Sequence, residues 1–281
     1  MSCLCPMIRF LDTNSARQTP DQEDCLNRML NFVSLKQESC YYSSMTRRDG
    51  ESVLEICYNA RERLSFDIVG DLSSPSPTDA ILDRNPMPIG FRYSFRREKA
   101  IYIFRNSSQT TEHAIRGFCE LIQQREETVH PFALHLVILQ DSIGPREEIM
   151  TFDLKSLLLI EDSLLKGSLM AMQSLDEFRQ QTQELHELSR SMIIIEHYND
   201  RDISNLRNLL RDMERLAKEG NRLGGEYEVD FDSHERMNDG LLCLLDFCID
   251  RARRLSNRKQ RVQNLIGLVG FLSFSSMRTS T

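Results

Sequence analysis

The first half of the chain carries short segments whose apolar residues are spaced as in β-strands. Residues 53–58 form one strand candidate, and residues 64–68 alternate apolar with polar side chains more regularly. Residues 91–95 and 100–104 are rich in aromatic and β-branched side chains, which predicts the two arms of a hairpin. Residues 132–139 form a nearly continuous apolar run, which predicts a strand buried on both faces.

Other segments of this half predict helices and turns around those strands. Residues 26–33 space their apolar side chains by three and four, which indicates a short helix. Residues 40–44 are typical of a strand or loop that leads to a turn at residues 49–50, Asp-Gly. Thr110 or Thr111 can cap a helix with one apolar face. The expected result is a mixed sheet with helices packed on it.

The second half of the chain has a helical pattern. No proline follows Pro145, and leucines and methionines recur at steps of three and four through residues 151–222. This heptad-like spacing is typical of helices packed along their length. The polar residues 199–202 are the predicted interruption, and the glycines and acids of residues 223–232 predict a linker.

The last helix, predicted over residues 233–274, has three successive parts. It begins with crowded apolar residues, continues with a run of cations and ends in the apolar residues 265–274. The six cations, here called the basic collar, are Arg251, Arg253, Arg254, Arg258, Lys259 and Arg261. Lysine and arginine are held back on the cytosolic side of a bilayer, so this order suits a stalk that approaches a membrane. The same cations also suit a solvated helix end near its C-terminal dipole.

The predicted architecture is α+β, a mixed β-sheet domain with packed helices followed by long, coiled-coil-like helices that end in the stalk helix. The apolar end of the stalk has about half of the roughly 20 residues that a membrane span needs. The predicted divisions are a weakly ordered N-terminal segment (1–50), an α/β domain (51–150), a long helical region (151–222), an acidic Gly-containing linker (223–232), the stalk helix (233–274) and a polar tail (275–281).

Composition narrows the class of protein. The 281 residues are 40% hydrophobic and 27% charged, which suits a globular chain with a sizeable core. The net charge of −7 argues against general nucleic-acid binding. The eight cysteines include no CxxC pair and are expected to be reduced thiols in the cytosol, with metal binding by Cys3 and Cys5 as an alternative for that pair. We expect no signal peptide, because the N-terminus lacks a continuous apolar segment.

The order of a compact sheet domain, long proline-free helices and a basic stalk resembles the CorA family of magnesium transporters, most closely the divergent CorA-like proteins of fungi. Residues 258–269, Arg-Lys-Gln-Arg-Val-Gln-Asn-Leu-Ile-Gly-Leu-Val, look like the end of a CorA stalk that enters its first pore helix. Residues 130–134, His-Pro-Phe-Ala-Leu, also look like the divergent group. The family's Gly-Met-Asn signature is absent, as are the rest of the first pore helix and all of the second.

The resemblance implies a pentamer whose cytosolic domains sense Mg²⁺ as a regulatory ion through carboxylates at subunit interfaces. We expect either a truncated gene product or a soluble relative that keeps only the cytosolic funnel. Its expected partners are further copies of itself or a full-length relative, with a membrane involved only if a C-terminal continuation exists. The expected location is the cytoplasmic side of a membrane, or otherwise the cytoplasm.

Three carboxylates are the candidates for Mg²⁺ sensing. Asp239, Asp246 and Asp250 stand at i, i+7 and i+11, roughly on one helix face. Mg²⁺ takes few protein ligands and keeps most of its waters, so a sensing site leaves little spacing signature. The alternatives are that this stripe only solvates the helix, or that the acidic linker holds the ion.

No enzyme motif is present in the chain. GxGxxG, GxxxxGK, GxSxG and HExxH are all missing, and His130 and His135 are expected to be structural. The sequence therefore predicts a CorA-like protein related to divalent-cation transport, without catalysis and without the pore. The alternative is a soluble helical scaffold that oligomerises or binds partners through its heptad surface.

Overall fold

The structure is a computed structural model, and it describes residues 41–48, 50–61, 86–104, 109–125, 129–170, 175–223 and 231–279. The chain divides into two compact units. Unit 1 joins residues 1–65, 84–143 and 201–246, and unit 2 joins residues 66–83, 144–200 and 247–281. The predicted helix at residues 26–33, the strand at residues 64–68, Cys3 and Cys5, and most of the acidic linker lie outside the described residues.

The sheet of unit 1 is a four-stranded antiparallel meander. Its strands are β1 (Tyr41–Arg48), β2 (Glu51–Arg61), β3 (Pro86–Ser94) and β4 (Lys99–Phe104), in the order β1-β2-β3-β4. The predicted hairpin is confirmed as β3 and β4. Gly50 has a φ of 75° in the turn between β1 and β2, a conformation that glycine adopts without steric cost. The α+β class is thus confirmed, while the prediction of a mixed sheet is wrong.

The predicted strand at residues 132–139 is a helix, α2 (Ala133–Ile143). A short apolar run fits a buried strand and a buried helix equally well by periodicity. Here Leu134, Ile138, Leu139 and Ile143 are all buried, as expected for a helix enclosed on most sides. Without that strand, the sheet formed by the described residues needs no crossover connection, and all its described strand pairs are antiparallel.

The core of unit 1 is aromatic, and α2 supplies its centre. His135 is fully buried and contacts the rings of Phe91, Tyr102 and Phe132, with centroid distances of 4.9, 4.9 and 5.2 Å. The hydroxyl of Tyr58 lies 2.9 Å from Nδ1 of His135, so β2 and α2 are joined by a buried hydrogen bond. His135 is thus part of the aromatic core of unit 1.

Four further helices complete the description. They are α1 (Gln109–Arg125), α3 (Pro145–Met170), α4 (Leu175–Leu223) and α5 (Phe231–Thr279), the last two of 49 residues each. The predicted helix is confirmed as α1, but Thr110 and Thr111 lie within its first turn and do not cap it. Pro145 stands at the start of α3, where its missing N–H leaves no helical hydrogen bond unmade. None of the described helices has an apolar stretch long enough to cross a membrane.

The interruption predicted at residues 199–202 is wrong, because α4 continues through it without a break. Asn199, Arg201 and Asp202 are buried rather than exposed as in a loop. The amide of Asn199 donates to the carbonyl of Cys248 at 2.8 Å. These polar residues therefore belong to a continuous helix, and Asn199 makes a buried contact to a neighbouring helix.

Two buried carboxylates join the C-terminal half of α4 to the sheet. Asp212 accepts hydrogen bonds from Tyr41 (2.9 Å) and Ser43 (2.8 Å). About two helical turns further along α4, Glu219 accepts hydrogen bonds from Ser52 at 2.6 Å and from both Arg47 and Arg222. The arginine bonds hold the pKa of Glu219 far below its ordinary value, with Arg222 the larger cause and Arg47 the next.

Candidate functional site

The basic collar lies on the part of α5 that belongs to unit 2, and its first member is buried. Arg251 has no exposed surface. Its Nε donates to Oδ1 of Asn199 at 2.6 Å, and its guanidinium carbon stands 5.5 Å from the centre of the Phe247 ring. A buried cation needs hydrogen-bonded partners to offset its lost hydration. Arg251 is thus a core residue of the helix bundle.

The next two paired members of the collar bind α3. Arg254 forms ion pairs with Glu147, at 2.8 Å, and with Asp250 on its own helix. Arg258 donates from Nη1 to the carbonyl oxygen of Met150 at 2.6 Å. Burial lowers the pKa of Arg258 from its ordinary value, against the opposing charge of Glu147.

The last two members pair with acids from two different helices. Lys259 lies 2.5 Å from Glu196 of α4, and Arg261 donates two hydrogen bonds to Glu161 of α3, at 3.2 and 2.6 Å. Arg253 is exposed. Five of the six collar cations therefore tie α5 to its neighbours in unit 2. The membrane-side role of the collar stays a prediction.

The acids that meet the collar were not identified from the sequence. Glu147 and Glu161 precede their partners by 107 and 100 residues. Such pairs leave no local signal, since ordinary spacing rules cover only residues three or four apart on one helix. The one local pair, Asp250 with Arg254, does follow that spacing and could have been found.

The three aspartates predicted to sense Mg²⁺ are all exposed on α5. At a helical rise of about 1.5 Å per residue, Asp239 and Asp250 stand roughly 16 Å apart along the axis. One ion therefore cannot contact all three in a single chain. Within the ranges that the structure describes, no three His, Cys, Asp or Glu side chains converge as a bound metal needs. Sensing by these residues at a contact between subunits stays a prediction.

No protein family model matches the chain, and no curated protein matches it. Among solved structures, it is similar to the cytoplasmic domain of ZntB from Vibrio parahaemolyticus RIMD 2210633. The two are 12% identical in sequence, and the similarity covers 85% of this chain and 84% of that domain with a TM-score of 0.39. A similarity of this degree transfers neither a fold nor an activity from that domain to this chain.

Proposed function

We propose that this chain is the cytosolic part of a CorA-like protein for divalent-cation transport, magnesium in the first place. In this proposal α5 is the stalk that leads towards a membrane, and the chain catalyses no reaction. The pore is supplied by a C-terminal continuation or by a full-length relative in the same assembly.

The observation that carries the proposal is the construction of α5. Its middle part is tied to α3 and α4 by ion pairs from the collar, and it continues as a helix to Thr279. Beyond the collar, Leu268, Phe271 and Phe274 are large apolar side chains that are exposed on the described surface. A helix that is held by ion pairs in its middle and has exposed apolar side chains in its last turns suits the approach to a bilayer.

Regulation by Mg²⁺ belongs to the same proposal. Asp239, Asp246 and Asp250 are exposed, so a second copy of the chain can approach their carboxylates across a shared ion. Asp250 would meet the ion while paired with Arg254 on its own helix. A hydrated Mg²⁺ needs only one or two carboxylates from each side. Assembly is then expected to depend on the ion, with a pentamer as the state that the CorA resemblance implies.

The test is the mass of the purified chain in solution, measured by light scattering with and without millimolar Mg²⁺. The proposal expects a larger assembly with Mg²⁺, and loss of that response when Asp239, Asp246 and Asp250 are all changed to asparagine. A matched control is Asp162→Asn, an exposed acid of α3. A wild-type mass that is the same with and without Mg²⁺ would contradict the proposal.

A helical scaffold is the second candidate, and one feature of unit 2 favours it. Phe152, Leu159 and Leu165 of α3 and Ile193 of α4 are between 52% and 71% exposed. Large exposed apolar patches mark surfaces that bind other proteins or assemble. A scaffold of this kind would oligomerise without regard to Mg²⁺, and replacing Leu159 and Leu165 by serine would reduce its mass to that of a monomer.

A further inference from the structure

Two histidines from distant parts of the sequence meet in unit 1. His130 precedes α2 and is only 5% exposed, while His234 stands in the first turn of α5. Nε2 of His130 lies 3.2 Å from Nδ1 of His234, and the ring centres are 5.3 Å apart. The two rings thus join the beginning of α5 to the segment before α2.

The proton positions in this pair follow from a neighbouring bond. The backbone N–H of Phe132 donates to Nδ1 of His130 at 3.1 Å, so that nitrogen carries a lone pair. A neutral imidazole then has its proton on Nε2, which donates to Nδ1 of His234. Since both nitrogens of His130 are engaged in this way, the ring has no lone pair left for a metal ion. The contact is a hydrogen bond between two neutral histidines.

We propose that His130 and His234 form an acid-sensitive latch, which holds the first turns of α5 in place when both rings are neutral and releases them when the solution becomes acidic. Protonation of His234 turns its Nδ1 from an acceptor into a donor. Two N–H groups then face each other at 3.2 Å, and the hydrogen bond is replaced by repulsion.

The surroundings of the latch do not stabilise a protonated ring. His130 lines a cavity of about 230 Å³, to which the described parts of α1 and α2 contribute apolar side chains such as Phe118, Ile122 and Leu136. The charged group that faces it from α5 is a cation, Arg236, and none of the residues lining the cavity carries a carboxylate. His135 of α2 is a further titratable base near the pair, and the charge of a protonated His130 lowers its pKa. Among these described lining residues, an imidazolium at His130 meets no carboxylate that would compensate its charge.

Burial acts in the same direction on each ring. Burial lowers the pKa of His130 to about 3, with His234 as the second cause, and burial lowers the pKa of His234 as well. The pKa of His135 is also lowered to about 3 by burial, with His130 as the next cause. A histidine whose pKa is lowered in the closed state stabilises that state at pH values above its ordinary pKa of about 6.5. This stabilisation is lost as the pH falls below that value.

Close packing of α5 on α2 makes the release measurable. A Cβ placed on Gly240 would lie 2.8 Å from Cδ2 of Leu136, so the two helices approach closely just beyond the latch. Amides of residues 231–241 are therefore expected to be protected from hydrogen exchange while the latch is closed. Protection in this segment reports on the latch more directly than global unfolding does.

The experiment compares hydrogen–deuterium exchange of the full chain at pH 7.5 and pH 5, after correction for the intrinsic exchange rate. We expect the protection factors of residues 231–241 in the wild type to be at least tenfold lower at pH 5 than at pH 7.5. His234→Asn keeps an acceptor near the position of Nδ1 but cannot be protonated, so it should lose much less. His186→Asn, at an exposed histidine of α4, should behave like the wild type.

Two outcomes would overturn the latch. One is a wild type whose protection at residues 231–241 is the same at both pH values, and the other is a His234→Asn chain that keeps the full pH response. If His234→Asn does not fold, side-chain ¹⁵N NMR of the wild type decides instead. His130 must then appear at pH 7.5 as the neutral form protonated on Nε2, and any other form refutes the proposal.

Discussion

Arg251 of α5 and Asn199 of α4 form a fully buried hydrogen bond, with 2.6 Å between Nε of the arginine and Oδ1 of the asparagine. The same asparagine donates from its other amide atom to the carbonyl of Cys248, the residue three positions before Arg251. One amide side chain therefore satisfies both a buried cation and a buried carbonyl. This pairing makes Asn199 a structural centre of unit 2.

Substitution of Asn199 by alanine is expected to lower the free energy of unfolding by about 2–4 kcal/mol, since a buried cation loses an acceptor and a buried carbonyl loses a donor. The midpoint of urea unfolding measures the effect. Arg253→Ala, on the exposed side of α5, is the control and should change the free energy by less than about 0.5 kcal/mol. A midpoint for Asn199→Ala equal to that of the control would refute the assignment.

The Asn199 pair also explains where prediction from the sequence stopped. A run of polar residues within a helical pattern is typical of a break, and residues 199–202 are such a run. The pattern cannot tell a polar side chain in water from one that is hydrogen-bonded in a core, because its partner, Arg251, is 52 residues away. Long, strongly periodic helices were predictable, but the polar contacts between them were not.

A similar limit applies to the sheet and to the collar. The hairpin of β3 and β4 was predicted because its alternation and its turn are local. By contrast, α2 was taken for a strand because a nearly continuous apolar run of eight residues fits both structures. The cations of the collar were visible as a run in the sequence. That most of them join helices depends on partners between 52 and 108 residues away, for example Glu161 with Arg261.

Glu219 is predicted to stabilise unit 1 only when it is ionised. Glu219→Gln removes the charge from a carboxylate that is 4% exposed and accepts from Ser52 and two arginines, so it should cost about 1–3 kcal/mol at pH 7. Because both arginines are more than half exposed, solvent screening keeps the loss from being larger. Thermal unfolding of the two chains at pH 7 measures it.

The pH dependence checks the same residue independently. The pKa of Glu219 is lower in the folded state than its ordinary value of about 4.3, so its contribution is present above that value and is lost as the pH falls below it. The stability difference between wild type and Glu219→Gln should therefore shrink from pH 7 to pH 3. Glu214→Gln, at an exposed acid of the same helix, should show no such change. A difference that stays constant down to pH 3 would contradict this explanation.

Asp153 is predicted to destabilise unit 2 at neutral pH. Burial raises its pKa to about 6, against the lowering effects of a 2.8 Å bond from Ser191 and of Arg258. An acid with a raised pKa stabilises the folded state when protonated, and that contribution is lost as the pH rises through about 6. Asp153→Asn keeps the acceptor for Ser191 without the charge.

The asparagine variant should therefore unfold at a higher temperature than the wild type at pH 7.5, by roughly 1–2 kcal/mol in stability. The advantage should become smaller as the pH is lowered to 5, where the wild-type carboxyl is mostly protonated. Asp162→Asn, at an exposed acid of the same helix, serves as the control. A variant that is less stable than the wild type at pH 7.5 would show that the carboxylate charge is favourable there.

The collar is predicted to bind anionic membranes more strongly when its acidic partners are removed. Glu161→Gln and Glu196→Gln together leave Arg261 and Lys259 without their ion pairs to these residues. Each cation near an anionic surface contributes about 1 kcal/mol, so the double variant should bind roughly tenfold more tightly, or somewhat more. Co-sedimentation with phosphatidylcholine vesicles, with and without phosphatidylserine, measures the difference. The gain should disappear in high salt, since mobile ions screen charges at this range.

Glu187→Gln, an exposed acid of α4, should bind like the wild type. If the double variant binds no better than this control, the collar joins helices and has no part in approaching a membrane.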